Sequence, residues 1–285
     1  KVMSHMDITD TRTPQDGRIK TVIEGRPIDL RISTLPTVRG EKVVMRVLDL
    51  SRNTKGLERL GLSIQEREKF DRLITKPNGI VLVSGPTGSG KTTTLYAALD
   101  QINRDDINII TVEDPVEIEL EGVNQVNINP EIDFTFANAL RSILRQDPNI
   151  IMIGEIRDTE TAEIAVKASL TGHLVLSTIH TNSAVKTVTR LIDMGIDAFL
   201  VASSLSGVVA QRLVRVVCPH CSVEEEPTLS EKEMFEKHGR NIEKVRRARG
   251  CPVCGQKGYK GRTAIFEILE INEAIIRMVS NKVHE

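Results

Sequence analysis

The sequence has no tryptophan, and aromatic residues make up only 3% of its 285 positions. Proteins that hold single-stranded nucleic acid stack its bases on aromatic side chains, so that class is disfavoured. The formal net charge is −1, from 38 basic and 39 acidic residues. A nucleic-acid partner calls for a basic field that such a balance does not supply. Apolar residues account for 40% of the chain, yet no apolar run approaches the roughly 18 residues of a membrane-spanning helix. No basic-then-apolar leader pattern opens it. Cysteine is scarce too. The four present fall into two C-x-x-C pairs, which in a reducing cytosol serve metal rather than disulfides. What is left is a globular chain with room for about two domains. It opens on Lys1 and closes on AIIRMVSNKVHE, and a piece of a longer protein is expected.

One stretch concentrates the chemistry: GPTGSGKT at residues 85–92, after the apolar run IVLVS and before TTTLYAALDQI. The pattern G-x-x-x-x-G-K-[ST] between a strand and a helix is a phosphate loop. Gly85, Gly88 and Gly90 let the backbone wrap a phosphate without a side chain in the way. Pro86, Thr87 and Ser89 complete the loop, and Thr93 follows it. The amides then point inward at a helix start whose dipole favours an anion. Lys91 reaches the β- and γ-phosphates, and the Thr92 hydroxyl binds Mg²⁺. A nucleoside triphosphate site is expected.

Residues 1–50 read as strands, with a hairpin turn at Glu24 and Gly25. Alternation sends Ile28, Leu30 and Ile32 towards a core and Asp29, Arg31 and Ser33 away from it. In EKVVMRVLD it sends Val43, Met45 and Val47 to one face and Lys42, Val44 and Arg46 to the other. Arg31 and Arg46, taken by themselves, read as solvated. Residues 51–60, SRNTKGLERL, have no period and read as a linker. From 61 to 217 helix and strand alternate: a helix capped by Ser63, then strands at 80–84, 107–112, 149–155 and 173–180. Helices follow these strands, one of them at about 135–146. An α/β unit with a mostly parallel sheet covered on both faces is expected.

Acidic residues gather where these strands end, which is where ligands bind in open α/β sheets. Glu113 and Glu117 are the candidates by position for the base that activates a water. Phosphate-loop enzymes commonly place an Asp at the end of the acidic strand to hold Mg²⁺. Gly154 stands there and Glu155 follows, so that role falls to Glu155 or is shared with the first cluster. His173 and His180 flank one short strand and are candidates for phosphate sensing. Arg141 and Arg145 share a helix face at i,i+4 spacing. With Arg157 and Arg190 they exceed what one pocket needs, so some are expected to serve a neighbouring subunit.

CPHC (Cys218, Cys221) and CPVC (Cys251, Cys254) match four-thiolate zinc ligation with no open position, hence a structural site over residues 218–262. Lys244, Arg246, Arg247 and Arg249 lie nearby, and Glu224, Glu225 and Glu226 dilute their charge, so a solvated face is expected. Residues 263–285 read as the start of a C-terminal helical region.

The set GPTGSGKTTTLYAAL, IITVEDPVE, IIMIGEIRDTETAEIA, TGHLVLSTIHTNSA and CPHC…CPVCGQKGYKGR resembles the type II secretion and type IV pilus assembly ATPases over nearly the whole chain. The resemblance implies a RecA-like ATPase core, part of a PAS-like α+β domain before it, and a Cys₄ zinc module after it. It implies ATP, Mg²⁺ and Zn²⁺ as cofactors. A hexameric ring is implied at the cytoplasmic face of the inner membrane, driving a pilus or pseudopilus through a membrane platform protein. Residue by residue, Lys91 and Thr92 bind phosphate and Mg²⁺, and Glu113 and Glu117 form an acidic box with Glu117 as the base. Glu155 is the Walker B acid, and His173 and His180 form a histidine box. Arg31 and Arg46 match arginines that reach the nucleotide, which reverses their solvated reading. Retraction ATPases lack the cysteine pairs, so assembly or secretion is favoured, and both of those branches carry them. The other readings are a non-hydrolysing nucleotide-dependent scaffold and a nucleic-acid translocase.

Overall fold

The computed structural model describes residues 1–49 and 56–280. The chain forms two compact units, Lys1–Lys55 and Gly56–Glu285. Of the expected linker, 51–55 lie outside the described residues, and the rest enters a short 3₁₀ turn at Leu57–Arg59. Of the expected C-terminal region, 281–285 also lie outside them.

The first unit is an antiparallel meander of β1 (Gln15–Ile23), β2 (Arg26–Thr37) and β3 (Gly40–Asp49), with the hairpin turn at Glu24 and Gly25. Ile28 and Ile32 are buried, whereas Val43, Met45 and Val47 are 53%, 64% and 63% exposed. These three share one strand face, as expected, and within this unit that face is open. The N-terminal turn packs Ser4 and Met6 on Gly17 of β1, and among the described residues of this unit β3, on the far edge, receives no such cover. On the opposite face Arg31 stands directly between Arg18 and Arg46. Asp29, expected to point to solvent, is fully buried there. Arg18 grips it through Nε and Nη2, both at 2.7 Å, and Arg31 Nε lies 3.9 Å away. Burial of a carboxylate requires such partners.

The second unit begins with α1 (Ile64–Ile74), where Ser63 and Glu66 form a capping box. Then come β4 (Gly79–Ser84), α2 (Lys91–Ile102), β5 (Ile109–Glu113) and β6 (Asn124–Asn127). These are followed by α3 (Phe136–Ile143), β7 (Ile150–Ile153), α4 (Thr159–Leu170) and β8 (Leu174–Ile179). After α5 (Ala184–Asp193) and α6 (Ala198–Ser204) runs β9 (Leu205–Val217). The cysteine stretch holds β10 (Val223–Glu225), α7 (Leu229–Glu236) and β11 (Val245–Arg247). Beyond it lie β12 (Tyr259–Glu270) and α8 (Glu273–Ser280).

The main sheet has the order β12-β9-β4-β8-β7-β5-β6. All neighbours pair in parallel except β12, which runs antiparallel to β9. Every side chain of β4 is buried, and its alternation divides the core. Ile80 and Leu82 pack with α3–α6, while Val81 and Val83 pack with α1 and α2. Cover on both faces is why the run is continuously apolar. The expected helical region from 263 is corrected: residues up to Glu270 return to the main sheet, and among the described residues of the region only α8 is helical. No helix among the described residues is long and apolar enough to cross a membrane.

Candidate active site

β4 ends at Ser84, the chain turns through residues 85–90, and α2 starts at Lys91. The parallel sheet thus delivers the phosphate loop to the same edge as the C-terminal ends of β5 and β7. There a cavity of about 410 Å³ is lined by residues 87–93 together with Glu113, Glu117, Glu155, Arg157 and His180. Lys91 is 9% exposed. Its Nζ donates to the carbonyls of Gly85 at 2.9 Å and Pro86 at 3.2 Å. Burial lowers its pKa, and the negative charge of Glu155 works in the other direction.

The two acidic candidates on the β5 side have different surroundings. Glu113 is buried. Tyr96 and Thr111 donate hydroxyl hydrogens to it, the latter at 2.6 Å, and Gln125 Nε2 donates at 3.1 Å. Burial first, and then the Glu113 carboxylate, push the Tyr96 pKa well above its ordinary value. Glu117 is exposed on the cavity wall, on a loop that neighbouring side chains fasten. Its own N–H donates to Tyr96 Oη at 3.3 Å, the Val116 N–H to Asn127 Oδ1 at 2.6 Å, and the Leu120 N–H to Gln125 Oε1 at 2.6 Å. Glu113 is thus buried and hydrogen-bonded to side chains that also fasten the loop, and Glu117 is the exposed carboxylate on the cavity wall.

On the β7 side the glycine at 154 has a steric cause. A Cβ there would lie 3.3 Å from the Val112 carbonyl oxygen and 3.4 Å from Glu113 Cα. A side chain there would crowd that backbone, and the acid stands one residue on. Thr178 Oγ1 donates to the Gly154 carbonyl at 2.7 Å, and the Ile156 N–H donates to the Thr178 carbonyl at 2.9 Å, which fixes the turn carrying Glu155. Arg157 Nη2 lies 2.5 Å from Glu155 Oε1, and His180 Nε2 lies 3.4 Å from Oε2. The hydrogen bond and charge of Glu155 raise the Arg157 pKa. Glu155 Oε2 is buried and makes no hydrogen bond among the described residues. That unsatisfied anionic oxygen and the Thr92 hydroxyl line one cavity, a hard-oxygen donor set that suits Mg²⁺.

Not every residue singled out in the sequence comes together here. His173 sits at the start of β8, the opposite end from His180, with Nδ1 2.9 Å from the Ala168 carbonyl. Arg141 pairs with Glu160 at 2.5 Å, and Arg145 Nη1 donates to the Arg141 carbonyl at 2.6 Å. Neither of these, nor Arg190, lines the cavity. Tyr96, Gln125 and Thr178 were missed. The one local sign was a phenol inside the otherwise apolar helix face of TTTLYAAL, since a buried Tyr hydroxyl needs a partner.

The cysteines form a second centre. Their four Sγ atoms lie within 4.8 Å of one another. Cys218–Cys251 and Cys221–Cys254 are 3.9 Å apart and Cys251–Cys254 3.7 Å. These distances match the ~3.8 Å edge of a tetrahedron with ~2.3 Å Zn–S bonds and are far too long for disulfides. Backbone N–H groups of Gly250, Cys251 and Gly258 donate to the sulfurs at 3.2–3.3 Å. Burial raises the Cys254 thiol, but the amides of Cys251 and Gly258 outweigh it and bring the group down to about 6. The donor set fits zinc. The nearby basic residues are all ion-paired: Lys244 and Arg246 with Glu224, Arg247 with Glu231, and Arg249 with Glu225.

A phosphate loop beside paired acidic positions, on a parallel sheet covered on both faces, is the RecA-like ATPase fold. The family model described as "Type II/IV secretion system protein" matches residues 1–285, and the chain belongs to that family. It is 52% identical over 285 residues to the type II secretion system ATPase E of Vibrio cholerae, covering all of this chain and 57% of that protein. It is 57% identical over 279 residues to the type II secretion system protein HxcR of Pseudomonas aeruginosa, covering 98% and 56%. The chain thus spans a little over half the length of these curated relatives. The crystal structure of the pilus retraction motor PilT with bound ADP is similar at a TM-score of 0.70 and 28% identity, over 95% of this chain and 67% of that one. The Legionella pneumophila ATPase DotB shares the fold at a TM-score of 0.65 and 21% identity, over 94% and 68%.

Proposed function

We propose that the second unit binds Mg·ATP in the 410 Å³ cavity and hydrolyses it. The observation that carries this reading is the convergence on one cavity of Lys91, Glu117 and a buried Glu155 oxygen that makes no hydrogen bond among the described residues. Lys91 exchanges the Gly85 and Pro86 carbonyls for β- and γ-phosphate oxygens, which are stronger acceptors for an ammonium. Glu117 takes a proton from the attacking water, and Glu113 acts through Tyr96 and Gln125 by holding the loop. Arg157 adds positive charge beside Glu155, and the His180 ring stands 3.4 Å from its other oxygen. Thr92 and Glu155 would hold Mg²⁺, which supplies charge neutralisation between the phosphates.

The finer reading follows the family resemblance. A homohexamer, associated peripherally with the cytoplasmic face of the inner membrane, would use this hydrolysis to drive a pseudopilus or type IV pilus through a platform protein. The cysteine centre favours assembly or secretion over retraction. On the resemblance, Arg31 and Arg46 contact the nucleotide and His173 acts with His180. Arg141, Arg145 and Arg190, which lie off the cavity of their own subunit, are assigned to a neighbour's.

The test of hydrolysis is Glu117→Gln. It should bind ATP as the parent does and lose turnover by about a hundredfold or more, the contribution usual for a general base. Full turnover in that variant would remove Glu117 from the mechanism.

A further inference from the structure

β9 runs in two regimes. Through Ala210 it is flanked by β4 on one side and β12 on the other. At Ser84 β4 ends and becomes the phosphate loop, while β9 continues with β12 beside it to Val217 and the first cysteine. Gln211 is the first residue past that point, opposite Phe266 of β12. It is a long polar side chain and only 3% exposed.

Both ends of its amide are used. Nε2 donates to the Ser89 carbonyl at 2.7 Å, and Oε1 accepts from the Thr94 hydroxyl at 2.7 Å. Thr94 is fully buried and Ser89 is 3% exposed, so neither partner has water as a substitute. A flipped amide would turn its oxygen on the Ser89 carbonyl oxygen, and this fixes the orientation. The backbone of Gln211 also closes on the loop: a Cβ on Gly85 would lie 2.4 Å from its carbonyl oxygen. In a trans peptide the C=O and the following N–H point in opposite directions. Anchoring the Ser89 carbonyl on Gln211 therefore turns the Gly90 N–H away from β9.

We propose that Gln211 is a positioning residue for the phosphate loop, holding the Ser89–Gly90 peptide so that the Gly90 amide faces a bound phosphate. The proposal rests on the nucleotide reading of the cavity. It makes the loop's shape depend on the place where the β9–β12 ribbon leaves the sheet.

The experiment measures the Kd of the non-hydrolysable ATP analogue AMP-PNP with Mg²⁺, alongside thermal melting, in the parent chain, in Lys91→Ala and in four variants at Gln211 and Thr94. Gln211→Met keeps the volume and removes both hydrogen bonds, and should weaken binding about tenfold, as expected for a buried carbonyl left without its donor. Gln211→Glu should be weaker still at alkaline pH, where its carboxyl is ionised and sets an anionic acceptor against the Ser89 carbonyl. Thr94→Val removes one hydroxyl and should weaken binding less than Gln211→Met. The double variant Gln211→Met, Thr94→Val should bind no more weakly than Gln211→Met alone. A role confined to stability would lower melting temperatures and leave Kd within twofold of the parent, which would overturn the proposal. Additive losses in the double variant, or parental affinity in Gln211→Glu at alkaline pH, would overturn it as well. If Gln211→Met does not fold, an unchanged Kd in Thr94→Val has the same force. Failure of the nucleotide reading looks different: the parent chain would not bind AMP-PNP, or Lys91→Ala would bind it equally well.

Discussion

Tyr96 does two things with one hydroxyl: it donates to Glu113 and accepts from the Glu117 N–H. Tyr96→Phe keeps the ring and removes both bonds, leaving a buried carboxylate short of a donor and the loop of Glu117 less fixed. An unmade buried hydrogen bond costs about 1–3 kcal/mol. If that cost falls on the placement of Glu117, kcat should drop about tenfold while the KM for ATP stays within about twofold. Steady-state kinetics checks the split. A raised KM with unchanged kcat would place Tyr96 in ground-state binding instead. The contrast with Lys91 and Glu155 shows what a linear reading can reach. Lys91 and Thr92 were legible because their geometry is local to a loop between a strand and a helix. Glu155 was legible as an acid at a strand end, although the reason for Gly154 before it is a contact with Val112 and Glu113. Tyr96 lies 17 residues from Glu113, and Gln211 lies 122 from Ser89. Those pairs exist only because of strand order, and no periodicity announces strand order.

At the scale of elements, the strands β4, β5, β7 and β8 were readable from apolar runs between helices, and β9 and β12 were not. The first seven residues of β9 are all buried and the rest are mostly exposed, so neither a two-residue alternation nor a uniform apolar run describes it. β12 follows the second cysteine pair and returns to the sheet far from its sequence neighbours. Together they form the ribbon that brings Cys218 beside Gly258, whose carbonyl accepts from the Cys218 N–H at 2.9 Å. The module at the end of the ribbon has little core: α7 contains no buried residue. Its order must come from its ion pairs and from whatever the four sulfurs hold. Structural zinc contributes on the order of 10–16 kcal/mol in small domains. Metal analysis of the purified chain should therefore give about one zinc per chain. Chelation should release amide protection in β10, β11 and α7 while β4 and β8 keep theirs. Metal content well below one, or exchange unaffected by chelation, would leave the cysteine cluster as a reduced thiol site.

For the whole molecule, the arginines decide whether one chain makes a complete active site. Arg157 is tied to Glu155 within the cavity, whereas Arg141 and Arg145 face outwards, held by Glu160 and by a backbone carbonyl. A ring built from head-to-tail interfaces places one subunit's outer surface against the next subunit's cavity. Mixing separates the two possibilities. Lys91→Ala removes the phosphate contact of its own site, and Arg141→Ala removes the arginine from whichever site it serves. If Arg141 acts across the boundary, each variant alone is inactive, yet a mixed ring contains sites with an intact Lys91 from one variant and an intact Arg141 from the other. In an equal, random mixture about a quarter of the sites are complete, and about a quarter of the parental ATPase rate should return. If Arg141 serves its own subunit, every site in the mixture lacks one of the two groups and no activity returns. Sedimentation of the same mixture separates that result from a failure to assemble, since a chain that never forms rings also regains nothing. Recovery in rings of the expected mass would make the subunit boundary part of the catalytic site.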